Sequence, residues 1–228
     1  YGSSVAWGDW NGDGYSDMAV GAPRHPVFGG EAGAVFVYYG TVDGTDTVAD
    51  WSYFNAQAQA ELGASVANAG DVNGDGYDDL LVGAPLYDNG QVDEGRAQLH
   101  HGGWAGLSIN ISWLGEGNQA YAMYGEAVAG AGDVNGDGYD DIIVGAPVYD
   151  GNLTGEGRAF VHLGSSTGMS ATPSWTYDGG QAGAQFGMSV ASAGDVNGDG
   201  YGDVIVGAPY HDSGYVNEGR AFLFLGSA

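Results

Sequence analysis

Oxygen-bearing side chains alternate with glycines in the stretch DVNGDGYDD at residues 71–79. Asp71, Asn73 and Asp75 occupy alternate positions, and the intervening glycines permit a tight turn that brings the three side chains together. Tyr77 would add its backbone carbonyl, and Asp79 would add another carboxylate. Because all of these donors are hard oxygens, the pattern predicts a loop that binds Ca²⁺ rather than zinc or copper.

A lone copy of this stretch would be better explained as a solvated Asn-Gly or Asp-Gly hairpin. The sequence contains four copies, however, and they begin at Asp9, Asp71, Asp133 and Asp195, a constant step of 62 residues. We therefore predict about four calcium sites. The predicted ligands are positions one, three, five, seven and nine of each loop: Asp9, Asn11, Asp13, Tyr15 and Asp17; Asp71, Asn73, Asp75, Tyr77 and Asp79; Asp133, Asn135, Asp137, Tyr139 and Asp141; and Asp195, Asn197, Asp199, Tyr201 and Asp203.

The charge of the chain also favours cations as partners. Its 228 residues include 29 acidic residues but only four arginines and no lysine, which gives a formal net charge of -25. Because such a charge repels phosphates, we expect no nucleic acid partner, and no apolar run is long enough for membrane insertion. With no cysteine in the chain, disulfides are excluded, and we expect calcium to clamp the loops instead.

Other features keep the same step and outline the repeat. Gly-Ala-Pro follows each acidic loop, and Trp51, Trp113 and Trp175 recur 62 residues apart. In the second copy GASVANAG, DLLVGAP, RAQLHHG and the segment around the tryptophan each predict a short strand. Four antiparallel strands per repeat are typical of a β-propeller blade. The sequence thus predicts an all-β propeller segment of about 3.7 blades, at approximately 1–61, 62–123, 124–185 and the incomplete 186–228.

The stretch FGMSVASAGDVNGDGYGDVIVGAP resembles the FG-GAP repeat of integrin α-subunit β-propellers and their bacterial relatives. The resemblance extends over essentially the whole chain. It implies a ring that usually has seven blades, with the ligand-facing side formed by the loops between the second and third strands, where the four copies differ most. It also implies that the aromatic residues before the opening glycine, Tyr1, Tyr124 and Phe186, rim the central channel.

These features together predict an extracellular module for protein binding or adhesion, in which calcium is mainly structural. Two alternatives stay open: a lectin-like propeller that binds carbohydrate, and a purely structural repeat of a large surface protein. The protein or glycan ligand is unknown from sequence. We expect no enzyme, because the chain has no nucleophile-elbow motif and no phosphate-binding glycine loop.

The remaining recurrent residues have structural interpretations. Arg96, Arg158 and Arg220 recur inside EGRA, which predicts a repeated Glu–Arg or other carboxylate contact between strands or blades. The three tryptophans predict packing between blades, and the histidines have no metal-ligand spacing.

Closure of the ring is the last expectation. The chain begins at Tyr1 and is expected to be a mature or excised piece of a longer protein. Because open blade faces are apolar, we expect a homodimer that forms a ring of about eight blades or a near-closed pair. The alternative is that the four blades of one chain close by themselves.

Overall fold

The computed structural model describes residues 1–27, 29–45 and 47–228, and within them it contains β-strands and no helix. The all-β prediction is therefore confirmed. The strands form a series of antiparallel sheets along the chain, and these sheets are the blades of a partial β-propeller. No helix long and apolar enough to cross a membrane occurs among these residues.

The first blade has four strands and a small additional hairpin. Its sheet consists of β1 (Ser4–Gly8), β2 (Asp17–Ala22), β5 (Ala34–Tyr38) and β6 (Trp51–Phe54), in that order. The hairpin lies between β2 and β5 and consists of β3 (Pro26–Val27) and β4 (Gly30–Glu31).

The next two blades have the predicted four strands each, and the last has three. The second contains β7 (Ser65–Gly70), β8 (Asp79–Ala84), β9 (Arg96–His100) and β10 (Trp113–Glu116). The third contains β11 (Ala127–Gly132), β12 (Asp141–Ala146), β13 (Arg158–His162) and β14 (Trp175–Asp178). The last contains β15 (Ser189–Gly194), β16 (Asp203–Ala208) and β17 (Arg220–Phe224).

The second strand of each central blade is buried along its whole length. All six residues of β8 and all six of β12 are buried, which explains the apolar runs LLVGA and IIVGA that follow the first aspartate of each strand. In the last blade part of this cover is lost. Ile205 of β16 is 37% exposed, whereas its counterparts Leu81 and Ile143 are fully buried.

Glycines of adjacent blades lie close together. The Gly125 N–H donates to the Gly145 carbonyl of its own blade at 3.0 Å. A Cβ on Gly83 of the second blade would lie 2.0 Å from the Gly125 carbonyl oxygen of the third. The residue before Gly125 is drawn into the same contact, because Tyr124 forms a parallel bridge with Gly95. Tyr124 and Phe186 are consequently buried, so the expectation that they rim a channel is wrong, and only Tyr1 of that set is exposed.

The recurrent tryptophans pack against the next blade, as predicted. The Trp113 ring meets the His162 ring edge to face at 4.8 Å, and equivalent contacts join Trp51 to His100 and Trp175 to Phe224. Both histidines are buried strand residues, and desolvation lowers the pKa of each to about 4.

The arginines of EGRA behave differently from the prediction. Only Arg158 contacts a carboxylate among the described residues of this set, and its partner is Asp178 on the adjacent strand. The feature common to all three is stacking on an aromatic ring: Arg96 on Tyr87, Arg158 on Tyr149 and Arg220 on Phe222. The predicted carboxylate contact between strands is therefore found for Arg158, but within the described part of the chain it is not repeated at Arg96 and Arg220.

Candidate metal centres

Each acidic loop connects the first strand of a blade to the second. In the second blade Gly74 and Gly76 have φ angles of 74° and 91°, a conformation that favours glycine. This curl directs three successive N–H groups at one carboxylate: Gly74 and Asp75 donate to Asp71 Oδ1, and Gly76 donates to Asp71 Oδ2, at 2.7, 3.0 and 2.7 Å. The loop is thus wrapped around the side chain of its first residue.

The third and fifth positions complete the turn. Asn73 Oδ1 accepts the Asp75 N–H at 2.8 Å, and Asp75 Oδ1 accepts the Tyr77 N–H at 3.1 Å. Asn73 Nδ2 donates to Asp75 Oδ2 at 2.9 Å. The same contacts recur in the other three loops, which have the fifth-position N–H 3.0–3.1 Å from the first carboxylate.

The ninth position is the buried part of the site. Asp79 is fully buried at the start of β8, where its Oδ2 accepts the Val72 N–H at 3.1 Å and its Oδ1 accepts the Gly102 N–H at 2.9 Å. Desolvation, with smaller contributions from the Asp75 and Asp71 charges, raises the pKa of Asp79 to about 7. Asp141 has the same environment and a pKa of about 7.

The donor set suits a hard divalent cation. Each loop offers three carboxylates, one side-chain amide oxygen and one backbone carbonyl. The ion pairs found among the described residues, Arg24–Glu61 and Arg158–Asp178, lie outside the loops. No three acidic or histidine side chains converge as a metal-binding group in residues 1–27, 29–45 and 47–228. In the loop at residues 71–79 the carboxylate oxygens instead accept N–H groups, although an oxygen that accepts one hydrogen bond still has a lone pair for a cation.

Sequence reasoning missed two sets of residues around the loops. Gly102 donates the N–H that holds Asp79. The sequence signal for this role is a glycine that recurs every 62 residues, as Gly40, Gly102, Gly164 and Gly226. The tyrosine at position seven also covers the preceding loop: a Cβ on Gly12 would lie 2.5 Å from the Tyr77 ring, and Tyr139 and Tyr201 similarly cover Gly74 and Gly136. The loops therefore lie side by side on one face of the blades.

Comparison with known proteins identifies the repeat. Four stretches, residues 1–38, 62–100, 124–162 and 186–224, match the family described as FG-GAP repeat. The chain belongs to the FG-GAP repeat family. Integrin alpha-5 of Xenopus laevis is 33% identical over 232 residues, which cover 98% of this chain and 21% of that protein. Integrin alpha-V of Gallus gallus is 34% identical over 240 residues, and integrin alpha-IIb of Homo sapiens is 38% identical over 217.

The FG-GAP chain spans about a fifth of the length of these curated relatives. The similarity extends over 98%, 100% and 91% of the chain, so it is not confined to the acidic loops. The resemblance to an integrin-like FG-GAP propeller that the sequence predicted is confirmed.

The opposite face of this FG-GAP propeller consists of the loops between second and third strands. They are held by side-chain contacts to the preceding blade: Gln119 accepts the Asp150 N–H at 2.6 Å and donates to the Asp150 carbonyl at 2.8 Å. Gln57 and Asp88 form the same pair one blade earlier. The glutamate of EGRA also belongs here, since Glu94 accepts the Asn89 N–H at 2.6 Å.

The tips of these loops carry exposed apolar side chains. Tyr215 and Val216 in the last blade are 81% and 82% exposed, and Val92 and Leu153 are exposed in the two central blades. Fixed loop bases with varied, partly apolar tips form a surface suited to contact with another macromolecule.

Proposed function

We propose that this chain is a calcium-stabilised, extracellular FG-GAP propeller module that binds a protein partner, with calcium in a mainly structural role. The observation that supports it best is the burial of Asp79, whose pKa the charges of Asp75 and Asp71 help to raise, without a basic side chain paired to it among the described residues. Burying a carboxylate among like charges is unfavourable unless a cation compensates. Calcium at the external concentration suits such solvent-facing loops.

In this proposal the chain's own residues do two things. Asp71, Asn73 and Asp75 supply oxygens at the rim of the loop, while Asp79 supplies a buried carboxylate that also holds the Val72 and Gly102 amides. Bound calcium supplies positive charge that offsets the repulsion within each cluster. Calcium would thereby link the acidic loop to the end of the third strand.

The test is calorimetric titration with Ca²⁺ combined with thermal unfolding in calcium and in chelator. We expect about four bound ions and a sharply lower Tm in chelator, because a ligand that binds only the folded state stabilises it. Equal Tm values in the two conditions would contradict the structural role. Absence of any binding heat and of any Tm change would remove the calcium proposal altogether.

The proposed partner surface is the face with the varied loops. The double variant Tyr215→Ser/Val216→Ser alters its most exposed tip, and Trp104→Ser, 85% exposed in the turn after β9 on the calcium-loop face, is the control. On an array of extracellular proteins, we expect the double variant to lose binding that Trp104→Ser retains. Equal loss in both variants would contradict this face. Binding only on a glycan array would favour the lectin-like alternative.

We also propose that a second copy covers the open ends of the blade series. Val5 is 56% exposed, although its counterparts Val66 and Val128 are buried against the preceding blade, and Leu223 is exposed at the other end. A pair of chains with two-fold symmetry would bury both faces. Light scattering tests this: we expect about twice the 23.2 kDa of one chain, and a mass of one chain with a cooperative melt would contradict the dimer.

A further inference from the structure

Neighbouring acidic loops are joined by a carboxylate that is not among the predicted calcium ligands. Position eight of the second loop is Asp78, whose Oδ2 accepts the backbone N–H of Asp9, the first residue of the first loop, at 3.0 Å. Asp140 occupies the same position in the third loop and accepts the N–H of Asp71 at 2.9 Å. Asp9 and Asp71, the first residues of the first and second loops, are thus each held by a carboxylate of the following blade.

The Asp140 carboxylate occupies the space that a side chain at residue 70 would need. A Cβ on Gly70, the residue before Asp71, would lie 2.1 Å from Asp140 Oδ2, and Gly70 has a φ of 75°. Any side chain at this position would displace the carboxylate. The glycine before the loop is therefore explained by the aspartate of the next blade as well as by its own backbone conformation.

The contact between the third and the last blade lacks this carboxylate and can be compared with the two earlier contacts. Gly202 stands at position eight of the last loop, and Gly132, the counterpart of Gly70, has no atom within 4 Å of where its Cβ would be. Other contacts between these two blades are present: the Gly202 N–H donates to the Asp133 carbonyl at 2.7 Å, and Tyr201 covers Gly136. The carboxylate is the part that differs.

We propose that Asp78 and Asp140 are positioning residues that preform the calcium loop of the preceding blade. This inference rests on the proposed calcium function. Asp71 is the residue around which its loop is wrapped, because its carboxylate accepts the N–H groups of positions four to six. Fixing the backbone of Asp71 before calcium arrives reduces the ordering that binding requires, and so raises affinity.

In this arrangement the calcium affinity of a loop depends on the blade that follows it in the chain. The first two loops depend on residues of the following blade, whereas the loop that begins at Asp133 faces Gly202 and has no equivalent carboxylate. The third loop should accordingly bind calcium more weakly than the second, although the five predicted ligand types in the two loops are identical.

Asp140→Ala and Asp140→Asn test the proposal in the full chain. Calcium titrations followed through the assigned backbone amide signals of Gly76 and Gly138 separate the second loop from the third. We expect Asp140→Ala to weaken calcium binding in the second loop about five- to tenfold and to leave the third loop within about twofold. Asp140→Asn, which keeps an acceptor oxygen, should retain most of the affinity.

A second readout requires no calcium. In chelator the Asp71 amide should exchange its hydrogen faster in Asp140→Ala than in the wild type, while the Asp133 amide is unchanged. Weakening confined to the third loop, an Asn variant as weak as the Ala variant, or an unchanged Asp71 exchange rate would overturn the positioning role. If no loop of the wild type responds to calcium, the proposed calcium function fails, and the exchange rate still decides whether Asp140 holds Asp71.

Discussion

The Gly102 N–H donates a 2.9 Å hydrogen bond to the buried Oδ1 of Asp79, which fixes the acidic loop to the second residue after the third strand. The same contact recurs in every blade. Its distances are 2.8 Å for Asp17 and Gly40, 2.9 Å for Asp141 and Gly164, and 2.9 Å for Asp203 and Gly226. Two distant parts of each repeat are thereby joined at a point with no room for a side chain.

Gly102→Ala should strongly destabilise the fold. Its Cβ would lie 2.1 Å from the Asp78 carbonyl oxygen and 2.7 Å from the Trp10 carbonyl oxygen, both of which are backbone atoms. We expect the free energy of unfolding in calcium to fall by about 2–3 kcal/mol. Gly103→Ala is the matched control, because its nearest atom is 3.8 Å away, and it should change stability by less than about 0.5 kcal/mol. Similar losses in the two variants, measured by chemical denaturation, would contradict this explanation.

The stabilisation by calcium should decrease on acidification. Burial raises the pKa of Asp79 and of Asp141 to about 7, above the model-peptide value of 3.8. Between these values the metal-free folded protein binds protons that the unfolded chain does not, so its stability rises as the pH falls. Calcium must displace those protons, so the Tm difference between calcium and chelator should be smaller at about pH 5.5 than at about pH 7.5.

The buried histidines act in the opposite direction but do not affect that comparison. Their pKa values are lowered to about 4, so they contribute stability that is lost as the pH falls from the unfolded value of 6.5 towards 4. This loss occurs with and without calcium and cancels in the Tm difference. A Tm difference that is independent of pH would indicate that the buried aspartates do not bind the ion.

The repeat architecture could be predicted because its determinants are local and occur more than once. The apolar run DLLVGAP predicts a buried strand by itself, and the constant 62-residue step separates such runs into blades. The turn chemistry of the acidic loops was equally visible, since Gly74 and Gly76 do adopt the positive φ angles that a tight curl requires.

Packing of the recurrent tryptophans between blades could be predicted, but other tertiary contacts could not, because they join residues whose sequence separation carries no periodic signal of its own. Tyr124 was expected at a channel rim, but the bridge to Gly95 draws it into the core. Arg96 was expected near a carboxylate, whereas it stacks on Tyr87. Asp78 is not among the predicted ligands, and its role depends on the position of Asp9 in space.

Loss of one loop ligand should remove one calcium site. Asp75→Ala deletes the fifth-position carboxylate of the second loop, which accepts the Tyr77 N–H, and we expect the calcium stoichiometry to fall by one. Asp43→Ala removes the same charge from an exposed position outside the loops and should leave the stoichiometry unchanged. Titration calorimetry that finds the wild-type stoichiometry in Asp75→Ala would contradict the assignment of this ligand.

The buried pair Tyr124 and His162 should be coupled in stability. His162 Nδ1 lies 3.1 Å from the Ser170 carbonyl oxygen, so Nδ1 carries the proton and Nε2 accepts the Tyr124 hydroxyl at 3.0 Å. One blade later the corresponding residues are Phe186 and Phe224, which meet edge to face with ring centroids 6.1 Å apart. The site therefore accommodates either a polar pair or an apolar pair.

Tyr124→Phe leaves His162 Nε2 buried without its donor, and His162→Phe leaves the Tyr124 hydroxyl without its acceptor. We expect each single variant to lose about 1–3 kcal/mol of unfolding free energy. The double variant reproduces the pair found in the next blade, so its loss should be at least about 1 kcal/mol smaller than the sum of the two. The lost contact to Ser170 is common to His162→Phe and the double variant and cancels in this cycle. Strictly additive losses in chemical denaturation would mean that the hydrogen bond between Tyr124 and His162 contributes nothing to stability.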